Sequence, residues 1–254
     1  MVLAIIQARM GATRLPGKVL LPLGRGTALS EELSRVKRAK RIDKIVVATT
    51  TSSADDKLAE YLKESGYEYF RGSETDVLDR YWQTAKNAGI KSSDAIVRLT
   101  ADCPLIDPAV IDEVVSTYLR GGYDFVSNSL EPYSYPDGMD CEVFSFQDLE
   151  RAAREATLPS HREHVTFYFW QNPDKFKIYY RKYEKDLSKY RLTLDTPEDY
   201  ELIKSVYEHF IDKDFDMQEV ITFLDQHPDI KKINASIAHN AGWQPSLEKD
   251  KKFK

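Results

Sequence analysis

The chain has 254 residues, 42% hydrophobic and 30% charged, with 41 acidic against 36 basic side chains and a formal net charge of −5. This suits one large globular domain, or a domain with an appendage, that buries a sizeable core. The negative balance argues against a nucleic-acid partner, and two cysteines without metal-type spacing, Cys103 and Cys141, argue for a reduced, cytoplasmic setting.

The opening MVLAIIQAR lacks a basic leader and is too short to span a bilayer, so no signal peptide and no membrane partner are expected. VLAIIQA reads as a buried strand. A helix is expected over about Ala28 to Lys40, followed by the strand KIVVATT. Ser53 and Asp56 form a capping-box pair before ADDKLAEYLKESG, which Gly66 closes. YEYFRG is a third strand, TDVLDRYWQTAKNAG a helix ending at Gly89, and AIVRLT a fourth strand. Asp107 and Pro108, N-cap and first helical position, open AVIDEVVSTYLRGG. This alternation predicts a parallel sheet with crossover helices. The second half is mixed. YDFVSN, CEVFSF, FKIYYRK and RLTLD read as strands; DLERAAREA, HREHVTFYFWQ, EDYELIKSVYEHFI (capped by Thr196 and Pro197) and Met217 to Gln226 read as helices before a polar tail.

Several segments carry chemistry. QARMGATRLPGK, residues 7–18, is a near-miss of the P-loop: five residues separate Gly11 from Gly17 where that motif has four, and Val19 stands where it has Ser or Thr. Its glycines let backbone approach a phosphate, and Arg9, Arg14 and Lys18 supply three cations at the carboxyl end of a strand, where open α/β sheets bind ligands. Asp102, just past the fourth strand, is either a turn residue or a ligand for Mg²⁺, which takes one or two carboxylates together with phosphate oxygens. Asp195 ends RLTLD in the same way. Two strand-end aspartates beside a cationic loop suit metal-assisted transfer at a phosphate. Asp140 and Glu142, two apart in a strand pattern, share a face that either meets solvent or orients a polyol or cation. His161 and His164 lie three apart without a third metal ligand; Arg162 and His164 could instead meet an anionic substrate. Ser73 and Asp76 suffice as a helix cap.

Together AIIQARMGATRLPGKVL, FRGSETDVLDRYW, VRLTADCPLIDP, YPDGMDCEVFSF, HREHVTFY and RLTLDTPEDYELI resemble, in order, the cytidylyltransferases of the spore-coat-polysaccharide type, relatives of the acylneuraminate and 3-deoxy-manno-octulosonate cytidylyltransferases. The likeness runs from the first strand to about residue 205, and INASIAHNAGWQPSLEKD resembles that family's C-terminal end. The resemblance implies an α/β protein, a three-layer α/β/α sandwich with a mostly parallel sheet of the nucleotide-diphospho-sugar transferase type. A nucleotidyltransferase domain would span residues 1–212, and a C-terminal helical extension, residues 213–254, would pack on that domain or on a partner subunit. It implies CTP as donor, a small-molecule sugar, sugar acid or phosphorylated acceptor, Mg²⁺ as cofactor, and a homodimer. By motif position, Arg9, Gly11, Thr13, Arg14, Lys18 and Thr100 would hold the nucleotide, its triphosphate gripped by Arg9, Arg14 and Lys18. Arg71 and Ser73 would lie near the cytosine. Asp102 and Asp195 would hold the metal and, with Lys18 and Arg14, carry catalysis. Asp140, Glu142, Arg162 and His164 would line the acceptor side. The chain departs from the family in LPLGRGTALSEELSRVKR, which lacks a Gly-Lys-Pro run, and at Thr100, where sugar-acid relatives carry glutamine. The rival readings are a related glycosyltransferase, whose Asp-x-Asp pair is missing here because proline lies two after Asp102, and a nucleotide-binding subunit without activity.

Overall fold

The computed structural model describes residues 1–211, 213–237 and 244–251. Its first half runs β1 (Val2–Gln7), the short hairpin β2 (Pro22–Leu23) and β3 (Gly26–Thr27), α1 (Ala28–Val36), β4 (Lys44–Thr50), α2 (Asp56–Glu64), β5 (Tyr69–Gly72), α3 (Val77–Asn87), β6 (Ala95–Thr100) and α4 (Pro108–Leu119). The second half runs β7 (Phe125–Ser127), β8 (Glu142–Ser145), α5 (Phe146–Glu155), α6 (Pro159–His164), α7 (Phe167–Trp170), β9 (Ile178–Tyr180), α8 (Pro197–His209), α9 (Met217–Gln226), α10 (Pro228–Lys231) and α11 (Gln244–Lys251).

Seven strands form one sheet in the order β5-β4-β1-β6-β8-β7-β9. All neighbours pair in parallel except β8, which is antiparallel to both β6 and β7. Apolar residues fill β1, and their alternation feeds two cores. Val2, Ala4 and Ile6 pack with α1, α2, α4, α8 and α9, whereas Leu3 and Ile5 pack with α3, α5 and the aromatic residues of α7. The result is the expected three-layer α/β/α sandwich. Tyr81, fully buried on α3, donates its hydroxyl to the Leu99 carbonyl (2.9 Å), fixing that helix across the carboxyl end of β6. The stretch 213–226 shares the first core through Phe215, Met217, Val220, Ile221, Phe223 and Leu224, and the Met217 N–H donates to Asp107 (2.6 Å). The expected boundary at residue 212 lies outside the described residues, as do parts of the expected C-terminal tail. Among the described residues no helix is long and apolar enough to cross a membrane.

Four expectations need correction. RLTLD is not a strand: residues 191–194 are all buried, but only Arg191 bridges, to Asp137. HREHVTFYFWQ is not one helix, because Val165 adopts φ 59 and separates α6 from α7. The first helix stops at Val36, short of Lys40. Ser53 and Asp56 make no capping box; a 3₁₀ turn over Ser53–Asp55 precedes α2, and Asp55 is used elsewhere.

Candidate active site

The loop 8–17 leaves the carboxyl end of β1 and is held by its own backbone. The Gly17 and Ala12 N–H groups both donate to the Met10 carbonyl (2.9 and 3.0 Å), and the Met10 N–H donates to Asp55 (2.6 Å). Asp55 is buried and also accepts the Thr50 hydroxyl, tying the loop to the end of β4. Gly17 sits at φ 72, a left-handed conformation that suits glycine, and turns the chain into a 3₁₀ helix over Lys18–Leu20. Lys18 thereby becomes buried, while Arg9 and Arg14 stay exposed.

Lys18 Nζ donates to Asp102 (3.0 Å) and to Asp195 (2.7 Å), and Arg14 reaches the other oxygen of Asp195 (2.9 Å). The two aspartates meet because the run before Asp195 is pinned to Asp102: the Leu194 N–H (2.7 Å) and the Thr193 hydroxyl (3.2 Å) both donate to the Asp102 carbonyl. Arg191 braces the run from behind. Its guanidinium binds both oxygens of fully buried Asp199 (2.9 and 3.0 Å) and donates to Asp137 (2.8 Å). Burial works against charge at Lys18, but the carboxylates of Asp102 and Asp195 outweigh it and raise the ammonium pKa. Burial likewise opposes ionisation of Asp102, yet the Lys18 charge and hydrogen bonds from Thr100 and Lys18 hold its carboxyl below the usual value. The arrangement is a charged triad at a sheet edge, set by backbone contacts before any ligand arrives.

A cleft of about 340 Å³ opens over this triad. Arg9, Thr13, Arg14 and Lys18 line it from the loop, Thr100, Asp102 and Asp195 from the segment ends, and Asp140, Glu142 and His164 from the second half. Asp140 is half-buried and makes no hydrogen bond among the described residues; burial, then neighbouring Asp137, Glu142 and Asp102, push its carboxyl well above the usual range. Glu142 is already engaged. It stands opposite Arg98 in the β6–β8 register and accepts from Arg98 (2.5 Å) and from the Thr166 hydroxyl (2.9 Å). Burial lowers the His164 pKa to about 4 despite nearby Glu163, so its ring is neutral, and it stacks on Phe167 with centroids 4.5 Å apart.

Gly11, Arg71, Ser73 and Arg162 do not line this cleft. Arg71 donates to the Thr50 and Ser52 carbonyls (2.7 and 2.9 Å) and to Asp56 (2.7 Å). Ser73 accepts from the Asp76 N–H (3.0 Å) at the start of α3, and Arg162 turns back to Asp76 (3.0 Å) and the Ala153 carbonyl (2.6 Å). The FRGSETD motif instead reaches an adjoining cavity of about 300 Å³ through Glu74 and Thr75; that cavity shares Arg9, Glu163 and His164 with the first. His161 contacts Gln171 (3.0 Å), and among the described residues no group of three or more His, Cys, Asp or Glu side chains could hold a metal.

Sequence reasoning missed Asp55, Arg98, Asp137 and Arg191. Only Arg191 carried a signal, as a single cation opening an alternating apolar run; the others are ordinary turn or strand residues until the chain folds.

A cytidylyltransferase family model matches residues 3–223. The spore coat polysaccharide biosynthesis protein SpsF of Bacillus subtilis is 37% identical over 90% of this chain and 95% of its own length. The solved structure of a cytidylyltransferase from Leptospira borgpetersenii is 42% identical, covers 94% of this chain and 99% of its own, and superposes with a TM-score of 0.86. CMP:2-keto-3-deoxy-manno-octonic acid synthetase, solved with CTP, shares the fold at a TM-score of 0.61 and 15% identity, covering 82% of this chain and 98% of its own.

Proposed function

The chain belongs to the cytidylyltransferase family of nucleotidyltransferases, and on that premise we propose that it transfers CMP from CTP to a small sugar, sugar acid or phosphorylated acceptor in polysaccharide or surface-glycan biosynthesis, releasing pyrophosphate. The observation that carries this reading is the Lys18 ammonium shared between Asp102 and Asp195 under a cationic glycine loop. The adjoining cavity, walled by Glu74 and Thr75, suits the nucleoside end. The SpsF relative supports the glycan setting.

A divalent cation fits the two aspartates. Both lie within reach of one ammonium, so their geometry already accommodates a single positive centre. Mg²⁺ completes its shell with phosphate oxygens and water and needs no all-protein cage. Asp102 and Asp195 would hold it; when bound it neutralises phosphate charge and polarises the α-phosphate. A manganese complex of a more distant structural neighbour supports a divalent ion. The chain's own residues do the rest. Arg9 and Arg14 orient the triphosphate, and Lys18, released from the carboxylates it bridges, stabilises charge on departing pyrophosphate. The acceptor's anionic oxygen attacks the α-phosphate in line as the bond from that phosphorus to the pyrophosphate oxygen breaks, while Asp140 and neutral His164 orient the acceptor by hydrogen bonds. A cytoplasmic homodimer is part of this proposal.

The test is pyrophosphate release from CTP with Mg²⁺ and a panel of sugar, sugar-acid and sugar-phosphate acceptors. Asp102→Asn should lose turnover by about two orders of magnitude or more while still folding. A fully active variant removes Asp102 from the mechanism.

A further inference from the structure

Glu163 and His164, at the end of α6, line both cavities, and both touch the C-terminal helix α11. Ser246 of that helix is 2% exposed, with its Oγ 2.9 Å from Glu163 Oε2 and 2.9 Å from His164 Nε2. The helix is docked a second time, where the Ser160 N–H donates to buried Asp250 (3.0 Å).

A serine hydroxyl has one proton to give. Burial opposes ionisation of Glu163, but the Ser246 hydrogen bond and the Lys249 charge hold its carboxyl below the usual value. An ionised carboxylate only accepts, so the Ser246 proton goes to Glu163. The oxygen's lone pair then faces His164 Nε2, which must carry the ring's N–H, leaving Nδ1 as the acceptor nitrogen. The Phe167 stack holds the ring plane, and Ser246 selects between its two flips.

We propose that Ser246 is a positioning residue that fixes His164 as the Nε2–H tautomer, so that the ring offers the acceptor substrate a lone pair suited to a hydroxyl or ammonium donor. The role rests on His164 facing the acceptor. The C-terminal helix thus completes the acceptor side of a cleft built mostly by the first 195 residues.

The test is histidine-selective nitrogen NMR on the ligand-free full chain at pH 7, with His164→Gln assigning the ring. The wild type should show a His164 proton on Nε2 that is protected from exchange. Ser246→Ala should lose that protection, and Ser246→Thr, which keeps a hydroxyl, should restore it. A protected proton on Nδ1, no protected proton in the wild type, or protection surviving in Ser246→Ala overturns the proposal. No nucleotide is needed, so a failure of the CTP reading would leave this result intact and separately legible.

Discussion

Lys18 is the residue on which the site's electrostatics turn. Removing its ammonium takes away the one cation that Asp102 and Asp195 share, leaving Arg14 on Asp195 alone. Breaking a buried ion pair costs about 3–5 kcal/mol, but these aspartate side chains are 25% and 24% exposed, and water screens part of the repulsion. Lys18→Met, which keeps the stem, should therefore lose about 2 kcal/mol in urea unfolding; unchanged stability would mean the triad contributes nothing to folding. His164 gives a pH signal of defined sign. Burial holds it near 4 in the folded protein, against about 6.5 when unfolded. Between those values the unfolded chain binds more protons, so the stability is whole above about pH 6.5 and declines as pH falls toward 4. The melting temperature should drop further between pH 7 and pH 5 in the wild type than in His164→Gln, by roughly 4–7 °C; equal drops would contradict a buried neutral ring. At this scale the sequence revealed the charges that converge, Arg9, Arg14, Lys18, Asp102 and Asp195. It could not reveal that Arg71, Glu142 and Arg162 spend theirs on internal partners, because those partners lie 15–86 residues away in the chain.

Among the segments, the crossing of 137–139 over 191–194 sets where Asp195 stands. Gly138 has φ 100, and a Cβ there would lie 2.5 Å from the Leu192 carbonyl carbon and 2.6 Å from the Thr193 nitrogen. Neither neighbour is a flexible side-chain end, so the backbone carrying Arg191 and Asp195 would have to move. Gly138→Ala should cost about 3 kcal/mol or more, lowering the melting temperature by roughly 6–12 °C, with pyrophosphate release falling further than stability alone explains. A neutral outcome would show that this crossing does not position Asp195. The same crossing explains a misreading. Leu192 and Leu194 of RLTLD are buried, but so are Arg191 and Thr193, and a strand also needs a ladder, whereas this run has a single bridge. The aromatic run after His164 carried helical spacing, yet periodicity is blind to a positive φ at Val165. Elements with strong local punctuation were read closely: α9 matches its expected span, and Asp107 and Pro108 open α4 as their chemistry requires.

For the whole molecule, the strand–helix alternation of the first half was enough to predict the layered sheet, because parallel strands need crossover helices to cover both faces. Contacts made late in the chain were not legible: Ser246 reaches His164 across 82 residues, and Asn234 donates to Asp199 (2.8 Å) behind the Arg191 clamp. With a net charge of −5, nucleotide binding depends on local cations rather than on the overall field. Donor choice therefore depends on what that local site selects. Cytosine presents an amino donor where uracil presents a carbonyl acceptor, so a polar pocket discriminates strongly between them. The most direct measurement is calorimetric titration of the wild-type protein with CTP, UTP, ATP and GTP in Mg²⁺. CTP should bind at least about tenfold more tightly than any other, a difference of about 1.4 kcal/mol; equal affinities, or a preference for another base, would contradict the assignment.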